Sequence, residues 1–509
     1  MLTIEQYHAE LRASNTYLAI LAVVSLAVLV QITYLSRRWR RFPALPIPLP
    51  YLPIPIILAL AFLIRLPRMF DSLWYDETYT AMITRVAWPK LPAVILSDVH
   101  PPLWYTVEWL IGRILGTGEL ALRLPALAAG LWSIWLFYRL ALAADLPIKT
   151  AQLAALLLAL LPTHIFYSTE ARSYALLTAL IFLAILAILK NRPSWFMVTG
   201  LLPFLHAHGY VYLALLSILA LAYNRFSWHT WLPSIYFAGF EAALYLPFAL
   251  YQAQDVNNGF WMDRLSIGGA LWYIPFSGTM TRNAATAPGI ITLVLIYPFT
   301  ALALWRCRSW LYSNTGLILA SVWFGIPALV GLISVLWRPV YLVQALMPAG
   351  LLVVLVWAKF LADSPPRFAY AARNFAALVL IFSWLTGYRP KENVRRWFQD
   401  CQDSDYTYAV TTIESIMALY YSPVPVVVYP YPDNRDQFMS QEARDAVGFV
   451  LDYPVNVLGN LCLMDIYNPS NTEQQRRIIN ALLRNGYTAS LKYTGPFETI
   501  TMYRIANDL

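Results

Sequence analysis

Long apolar runs that recur along the chain are the feature that most restricts its fold. A helix needs about 20 apolar residues to cross a bilayer core roughly 30 Å thick. Only 13% of the 509 residues are charged, about half the share in a soluble domain, so most of the surface must face lipid. The pattern predicts an α-helical polytopic membrane protein with about twelve transmembrane helices. The spans lie near residues 17–35, 47–67, 120–143, 150–168, 172–190, 195–208, 209–223, 231–250, 287–305, 315–336, 340–360 and 368–386.

Basic residues in the short connecting loops indicate how the spans are oriented. The segment Ser36–Arg41 follows the first span, and placing it in the cytoplasm puts Lys or Arg into every alternate loop, as the positive-inside rule requires. The long loop 68–119, the loop 251–286 and everything after about residue 387 then lie on the non-cytoplasmic side. The basic residues of the short cytoplasmic loops account for the net charge of +8, so we predict contact with membrane and no nucleic-acid partner.

The end of the chain differs in kind from the apolar spans. Short β-type runs alternate there with an amphipathic helix near Thr472–Asn485, which indicates a small α/β domain. We therefore predict a transmembrane domain at 1–386 and an extracytoplasmic α/β domain at 387–509, in which Cys401 and Cys462 either form a disulfide or remain two free thiols. The strand-like runs are Tyr406–Thr412, Val424–Tyr431, Val447–Leu451, Val455–Met464, Tyr487–Tyr493 and Phe497–Arg504.

Ionisable residues gather in the first outer loop, directly after a predicted span. Charged side chains at a membrane are costly, so such a cluster is a functional hypothesis. Asp76 and Glu77 follow Trp74 and Tyr75, and a carboxylate there could accept a proton from a hydroxyl within hydrogen-bond reach. The aromatic rings could stack on a sugar or anchor at the headgroup level. Alternatively, the two acids only cap the helix that follows, since negative charge is favoured at a helix N-terminus.

Two further polar groups follow at outer positions. Asp98 and His100 precede a Pro-Pro pair that begins a helix and puts the histidine at its mouth. This histidine could bind a phosphate, bond to Asp76 or merely pack. Glu170 and Arg172 either pair with each other or leave the arginine to hold a phosphate with its forked guanidinium.

The order of these motifs resembles glycosyltransferase family 39 of the GT-C class, which includes protein O-mannosyltransferases and lipid A aminoarabinose transferases. The resemblance covers residues 70–175 and depends on the combination of motifs rather than on any single one. The motifs are Leu73–Glu77, Asp98–Tyr105, Leu122–Leu127 and His164–Tyr174. The turn Leu205–Gly209 also resembles a short histidine-bearing turn of that family.

The resemblance implies a transferase that takes its sugar from a polyprenyl-phosphate donor at the non-cytoplasmic face of a membrane, most readily the bacterial inner membrane. Asp76 would deprotonate an acceptor hydroxyl, which attacks the anomeric carbon with inversion, and Glu77 would orient Asp76 or the acceptor. Arg172 and then Arg338 would stabilise the departing phosphate, and His100 would contact it.

One late span departs from the family's pattern. Such proteins often begin that span with an Arg-Tyr pair, whereas here Val340 precedes Tyr341 and Arg338 could act only from a shifted position. The catalytic candidates are Asp76 and Glu77, and the substrate-binding candidates are Trp74, Tyr75, Asp98, His100, Glu170, Arg172, Tyr174, Arg338 and Tyr341.

The sequence leaves the metal and the acceptor open. Asp76, Glu77, Asp98 and His100 offer hard oxygen ligands and an imidazole, so a divalent metal ion could bind there. The acceptor hydroxyl could belong to a lipid, a glycan or a protein. The competing hypothesis is a lipid or sugar transporter (a flippase), but transporters usually place ionisable residues on broken helices near the midplane, whereas here they lie at the outer ends of spans.

Overall fold

The computed structural model of the protein describes most of the chain from residue 51 onward. The described residues are 51–96, 98–224, 227–255, 287–337, 339–364, 394–399, 401–409, 412–428, 460–466, 487–494 and 500–507. The sequence predictions outside these residues are the spans 17–35 and 368–386, the basic cluster Ser36–Arg41, Arg338, the strand Val447–Leu451 and the helix Thr472–Asn485.

Helices form most of the described chain. The earlier ones are α1 (Ile54–Arg65), α2 (Tyr75–Arg85), α3 (Leu91–Leu96), α4 (Pro102–Leu115), α5 (Glu119–Ala143), α6 (Ile148–Leu160), α7 (Pro162–Tyr167), α8 (Tyr174–Leu189), α9 (Pro193–Phe196), α10 (Leu202–Leu205) and α11 (Gly209–Tyr223). The later ones are α12 (Trp228–Asp255), α13 (Ala287–Leu311), α14 (Asn314–Leu336), α15 (Val343–Gly350), α16 (Val353–Asp363), α17 (Val394–Gln399) and α18 (Thr412–Tyr421). Short 3-10 helices occupy Leu66–Phe70, Trp88–Lys90 and Met197–Leu201.

Three helical runs among the described residues are long and apolar enough to cross a membrane. They are α5, α14 and the run Val343–Asp363, which comprises α15 and α16. Shorter apolar helices, including α6, α8 and α11, accompany them. The predicted α-helical membrane architecture is therefore confirmed in this part of the chain.

Prolines divide two of the predicted spans. The segment predicted as the span 150–168 is two helices, because α6 ends at Leu160 and Pro162 begins α7. The segment predicted as 195–208 is a series of short helices with Pro193 and Pro203 at their starts. Proline has no N–H to continue a helical ladder and is favoured in the first helical turn, so each proline begins a new helix.

A close approach between α5 and the end of α7 fixes the loop that follows α7. A Cβ on Gly130 of α5 would lie 2.3 Å from the Cβ of Ser168, so only glycine allows this contact. The same helix packs lengthwise on α8, where the rings of Phe137 and Phe182 have centroids 5.1 Å apart. The loop 168–173 is thereby held against the bundle.

The C-terminal segment, defined as the described residues from Val394 onward, contains a five-stranded sheet. Its strands are β1 (Tyr406–Ala409), β2 (Val426–Val428), β3 (Leu461–Ile466), β4 (Tyr487–Thr494) and β5 (Ile500–Asn507). The spatial order is β2-β1-β3-β5-β4. Strand β1 runs parallel to β2 and β3, whereas β5 runs antiparallel to β3 and β4.

Helices α17 and α18 of the C-terminal segment are not predicted by the sequence pattern. The pattern predicts strands over Tyr406–Thr412 and Val424–Tyr431 with no helix between them, but α18 occupies Thr412–Tyr421. Parallel neighbours cannot be joined by a tight turn and need a crossover connection. Because β1 and β2 are parallel, α18 supplies that crossover.

A disulfide joins Cys401 to Cys462, with their Cα atoms 5.7 Å apart. Of the two alternatives for these cysteines, the structure has the bonded one. Both lie in a hydrophobic cluster that we call the disulfide cluster. Its buried members are Val394, Trp397, Phe398, Cys401, Met417, Ala418 and Cys462.

Candidate active site

A fully buried ion pair anchors the start of α2. The carboxylate of Glu77 receives two hydrogen bonds from Arg123 of α5, at 2.8 Å from Nε to Oε1 and 2.7 Å from Nη2 to Oε2, and both side chains are 0% exposed. The backbone N–H of Ala171 also donates to Oε1 at 2.9 Å. This one carboxylate therefore ties α2 to α5 and to the loop 168–173.

Arg123 also binds the chain segment that enters α2. Its guanidinium donates to the carbonyl oxygens of Arg68, Met69, Asp71 and Ser72. Every N–H direction of the guanidinium fork is used, a geometry that an ammonium group cannot reproduce. The turn that precedes Asp76 is therefore fixed by α5.

Asp76 differs from its neighbour Glu77 because it remains partly open to solvent. Its side chain is 28% exposed, and its Oδ2 lies 3.7 Å from Nη2 of Arg172, whose side chain is only 6% exposed. Both acids lie in the first turn of α2, where the helix dipole favours negative charge, so the capping role predicted for them agrees with their position. Glu77 supports the helix start, whereas Asp76 is partly exposed and has a cation beside it.

Arg172 continues into a chain of polar contacts. Its Nη2 lies 2.6 Å from Nε2 of His100, and Nδ1 of His100 lies 2.8 Å from Oδ2 of Asp98. Because an arginine N–H can only donate, Nε2 of His100 accepts and its Nδ1 carries the proton that Asp98 accepts. The hydroxyl of Tyr105 donates to the same Asp98 oxygen at 2.7 Å. The predicted residues Asp76, Asp98, His100 and Arg172 thus lie in one cluster, which we call the polar cluster.

The electrostatics keep Asp98 ionised within the polar cluster. Burial by itself raises the pKa of Asp98, but the interaction with His100, the hydrogen bonds from His100 and Tyr105 and the charge of Arg172 outweigh burial and hold the pKa below its ordinary value. The stabilisation that this carboxylate gives is present above its ordinary pKa and is lost as the pH falls through the lowered pKa of the folded state. At neutral pH, Asp98 is therefore an anion that orients His100.

Replacing Asp98 with Asn is expected to lower the turnover rate about tenfold, because the loss of a charged partner frees the ring of His100 and with it the position of Arg172. The measurement is the initial rate of the purified protein at saturating substrate. The matched control is Asp145→Asn, since Asp145 is exposed, lies between α5 and α6, and has φ 58°, which asparagine tolerates. Equal rates for the two variants would contradict the role given to Asp98.

Gln252 of α12 holds the loop that carries Asp98 and His100. Its Nε2 donates to the carbonyl oxygens of Ile95, Asp98 and His100 at 3.1, 2.7 and 3.2 Å, and the hydroxyl of Tyr245 donates to its Oε1. The side chain is buried. A single amide from a distant helix therefore fixes this loop, which no local sequence pattern predicts.

A histidine pair closes another side of the site. The rings of His206 and His208 have centroids 4.9 Å apart, and Nε2 of His208 donates to the carbonyl of Val340 at 2.8 Å. His206 also packs against the ring of Tyr174, with centroids 6.0 Å apart. The histidine-bearing turn therefore links the predicted site residue Tyr174 to the segment that contains Tyr341.

The remaining predicted residues lie at the edges of this arrangement. Trp74 precedes α2 and its backbone N–H donates to the Glu77 carboxylate at 3.4 Å, while Tyr75 is half-buried at the helix start. Glu170 and Tyr341 are buried, and the Glu170 carbonyl accepts the backbone N–H of Arg172 at 2.7 Å.

Glu77 is expected to orient either Asp76 or the acceptor, and its placement favours the first of these roles. Its carboxylate is buried and occupied by Arg123, so its geometry suits support of the helix start rather than contact with an acceptor. Within the described chain, no three or more His, Cys, Asp or Glu side chains form a group that could hold a metal ion. Of the four suggested ligands, Glu77 is taken up by Arg123, and Asp98 and His100 bond to each other.

Comparisons with known proteins place this architecture in a fold class. No family profile and no curated protein sequence matches the chain. Among solved structures, it is similar to ArnT from Cupriavidus metallidurans in the apo state, with a TM-score of 0.53 and 13% identity over 88% of this chain and 97% of that one. The same protein bound to undecaprenyl phosphate gives a TM-score of 0.54 and 11% identity, with the same coverage. The chain has the GT-C membrane fold.

The motifs in residues 70–175 resemble a GT-C family, and the structural similarity confirms that prediction at the level of the fold. An oligosaccharyltransferase from Archaeoglobus fulgidus in the apo form is also similar, with a TM-score of 0.49 and 12% identity over 89% of this chain and 74% of that one. The GT-C fold makes this chain an integral membrane protein, in keeping with its apolar helices.

Proposed function

We propose that the chain is a membrane glycosyltransferase that moves a sugar from a polyprenyl-phosphate donor to an acceptor hydroxyl, with inversion at the anomeric carbon. The observation that carries this proposal is the partly exposed carboxylate of Asp76 beside the buried guanidinium of Arg172. A base and a cation at that spacing suit the two charge changes of the reaction, the loss of a proton by the acceptor and the gain of charge by the leaving group.

Asp76 is the base in this proposal. The acceptor oxygen attacks the anomeric carbon as its proton passes to Oδ2 or Oδ1 of Asp76, and the bond from that carbon to the phosphate oxygen breaks. The carboxylate has the solvent access that an incoming acceptor needs, which the paired and buried Glu77 lacks. The first-turn position in α2 holds Asp76 rigidly, since the helix start is bound by Arg123 and by Glu77.

Arg172 is the cation that stabilises the departing phosphate. The donor phosphate needs charge compensation more than a proton, because breaking the bond to the anomeric carbon leaves a second negative charge on the phosphate. The guanidinium is oriented by His100, which Asp98 and Tyr105 orient in turn, so it is set before the reaction begins. The N–H groups of Arg172 that are not bonded to His100 are the groups that the phosphate would meet, because both ring nitrogens of His100 are already bonded, to Arg172 and to Asp98.

The donor class is supported by the neighbour structure as well as by the site. ArnT, which shares the fold over 88% of this chain, has been solved bound to undecaprenyl phosphate. A lipid phosphate fits a site that lies where apolar helices meet a polar loop. We place the loop and the C-terminal segment on the non-cytoplasmic side of the inner membrane, an orientation supported by the basic loops and by the Cys401–Cys462 disulfide.

The decisive experiment follows the donor and not only the product. Purified protein in vesicles is given a polyprenyl-phosphate sugar and membrane extract as acceptor, and mass spectrometry measures free polyprenyl phosphate and glycosylated acceptor. Equal amounts of both, with the anomeric configuration inverted by NMR, are the expected result. Movement of the intact donor across the vesicle membrane without bond cleavage would overturn the proposal in favour of a flippase. The identity of the acceptor, whether lipid, glycan or protein, is read from the same spectra, and a parallel reaction with a chelator tests for a divalent metal ion.

A further inference from the structure

The C-terminal segment contacts the chain just ahead of Asp76. The hydroxyl of Tyr421, the last residue of α18, accepts the backbone N–H of Leu73 at 2.5 Å and donates to Oε1 of Glu119 at 3.1 Å. Leu73 is fully buried, so its N–H has no access to water as an alternative partner. One hydroxyl therefore links α18, the entry to α2 and the first residue of α5.

A second contact of the C-terminal segment reaches the same entry from the side. Nη2 of Arg395 in α17 donates to the carbonyl of Phe70 at 2.9 Å and lies 2.9 Å from Oε1 of Glu119. Glu119 thus receives both Tyr421 and Arg395, and these two side chains contact both ends of the segment 70–73. The turn leading to Asp76 is therefore held by the C-terminal segment as well as by Arg123 of α5.

Packing adds a third link between the C-terminal segment and the site. The ring of Tyr75, next to Asp76, packs on the disulfide cluster, and the ring of Tyr421 packs there too. Tyr75 also packs on the main core of the membrane bundle. The residue beside the base is therefore shared by two hydrophobic cores, and a shift of the disulfide cluster would be transmitted to α2.

From these contacts we propose that Tyr421 is a positioning residue that fixes the first turn of α2 and thereby the carboxylate of Asp76, so that the C-terminal segment completes the active site. This inference rests on the proposed transferase function. The physical basis is that α2 is short and its entry has no regular structure, so its position depends on side chains that bind its backbone groups. A displacement of about 1 Å at a reacting group can lower a rate by roughly 10²-fold.

The test compares two tyrosines that adjoin each other. Tyr421→Phe removes the hydroxyl bound to Leu73 and leaves the ring, whereas Tyr420→Phe removes a hydroxyl that donates to the carbonyl of Thr117 at 2.6 Å, outside the entry to α2. We expect Tyr421→Phe to lower kcat about 10- to 100-fold with KM for the donor within about twofold, and Tyr420→Phe to change both by less than about twofold. A purely structural role would lower the amount of folded protein without this separation of kcat from KM.

Hydrogen exchange gives a readout that does not depend on catalysis. In Tyr421→Phe the amide of Leu73 loses its acceptor, so its exchange is expected to accelerate, while in Tyr420→Phe it stays as in the wild type. If Tyr421→Phe does not fold, Glu119→Ala replaces it. This change removes both the acceptor of the Tyr421 hydroxyl and the counter-charge of Arg395, so a lower kcat and faster exchange of the Leu73 amide are again expected.

The outcomes separate this inference from the proposed function. Wild-type protein that transfers no sugar contradicts the transferase proposal itself. Wild-type protein that transfers sugar, together with a folded Tyr421→Phe variant whose kcat and Leu73 exchange equal those of Tyr420→Phe, overturns the positioning role alone. If Glu119→Ala is used instead, an unchanged kcat and unchanged Leu73 exchange in that variant have the same meaning.

Discussion

Replacing Asp76 with Asn is expected to lower the rate of sugar transfer by about 10²- to 10⁴-fold, the range that a positioned general base contributes. Asparagine has nearly the same shape, and its amide can still lie beside Arg172, but it cannot accept the proton of the acceptor hydroxyl. In the proposed mechanism, binding of the donor depends on Arg172 and on the apolar helices, so KM for the donor should change little. The measurement is kcat and KM for donor consumption in purified protein.

The control for this prediction is Asp145→Asn, which removes a carboxylate at an exposed turn with no contact to the polar cluster. Asp76→Glu is a second comparison, because it keeps a base but moves it by one methylene, and a rate between those of the wild type and Asp76→Asn is expected. A folded Asp76→Asn variant with transfer within about tenfold of the wild type would remove Asp76 from the role of base.

The second large effect is expected on stability. Replacing Glu77 with Gln should destabilise the protein by about 3–5 kcal/mol, because it leaves the Arg123 guanidinium buried without its counter-charge. Activity should fall as well, since the Ala171 N–H and the entry to α2 both depend on this pair. The measurement is denaturation of the protein in a fixed detergent, followed together with activity at a temperature where the variant remains folded.

An exposed ion pair offers the matched comparison for Glu77→Gln. Lys359 and Asp363 lie 2.6 Å apart at positions i and i+4 of α16, with side chains 19% and 51% exposed. Asp363→Asn should cost only about 0.3–0.5 kcal/mol, the usual value for such a pair. Arg123→Lys is expected to behave like Glu77→Gln despite keeping the charge, because the fork to four carbonyl groups is lost. A loss for Glu77→Gln no larger than for Asp363→Asn would show that the pair is not needed for the fold.

Sequence patterns predict the membrane bundle and much of the polar cluster. Asp76, Asp98, His100 and Arg172 carry local signals, namely charge at the end of an apolar run and prolines that set a helix start, and the structure brings these residues together. A charge at a membrane is costly and is retained mainly where it has a partner or a function. Each of these residues can therefore be recognised from its immediate neighbours in the sequence. Arg123 carries the same signal, as an arginine within an apolar span, and could have been assigned to the site on that ground.

Other parts of the site depend on contacts that no local pattern encodes. Gln252 reaches the carbonyl of His100 across 152 residues, and Tyr421 reaches Leu73 across 348. A glutamine in an amphipathic helix and a tyrosine at a helix end are common surface residues, so only the packing of distant elements gives them these partners. The division of α6 from α7 also differs from the predicted span, because hydropathy averages over Pro162, where the helix is interrupted.

The separation of Tyr421 from Leu73 has a consequence for biosynthesis. Helices α1 and α2 leave the ribosome long before α18 exists, and the N-terminal parts of a chain fold first during synthesis. The Glu77–Arg123 pair can form once α5 has been inserted, but the hydroxyl that holds Leu73 arrives only after most of the membrane bundle has been made. An unfinished chain that has not yet reached α18 therefore contains every residue of the polar cluster while lacking the Tyr421–Leu73 contact. Under the proposed positioning role, Asp76 of such a chain is not yet set for catalysis.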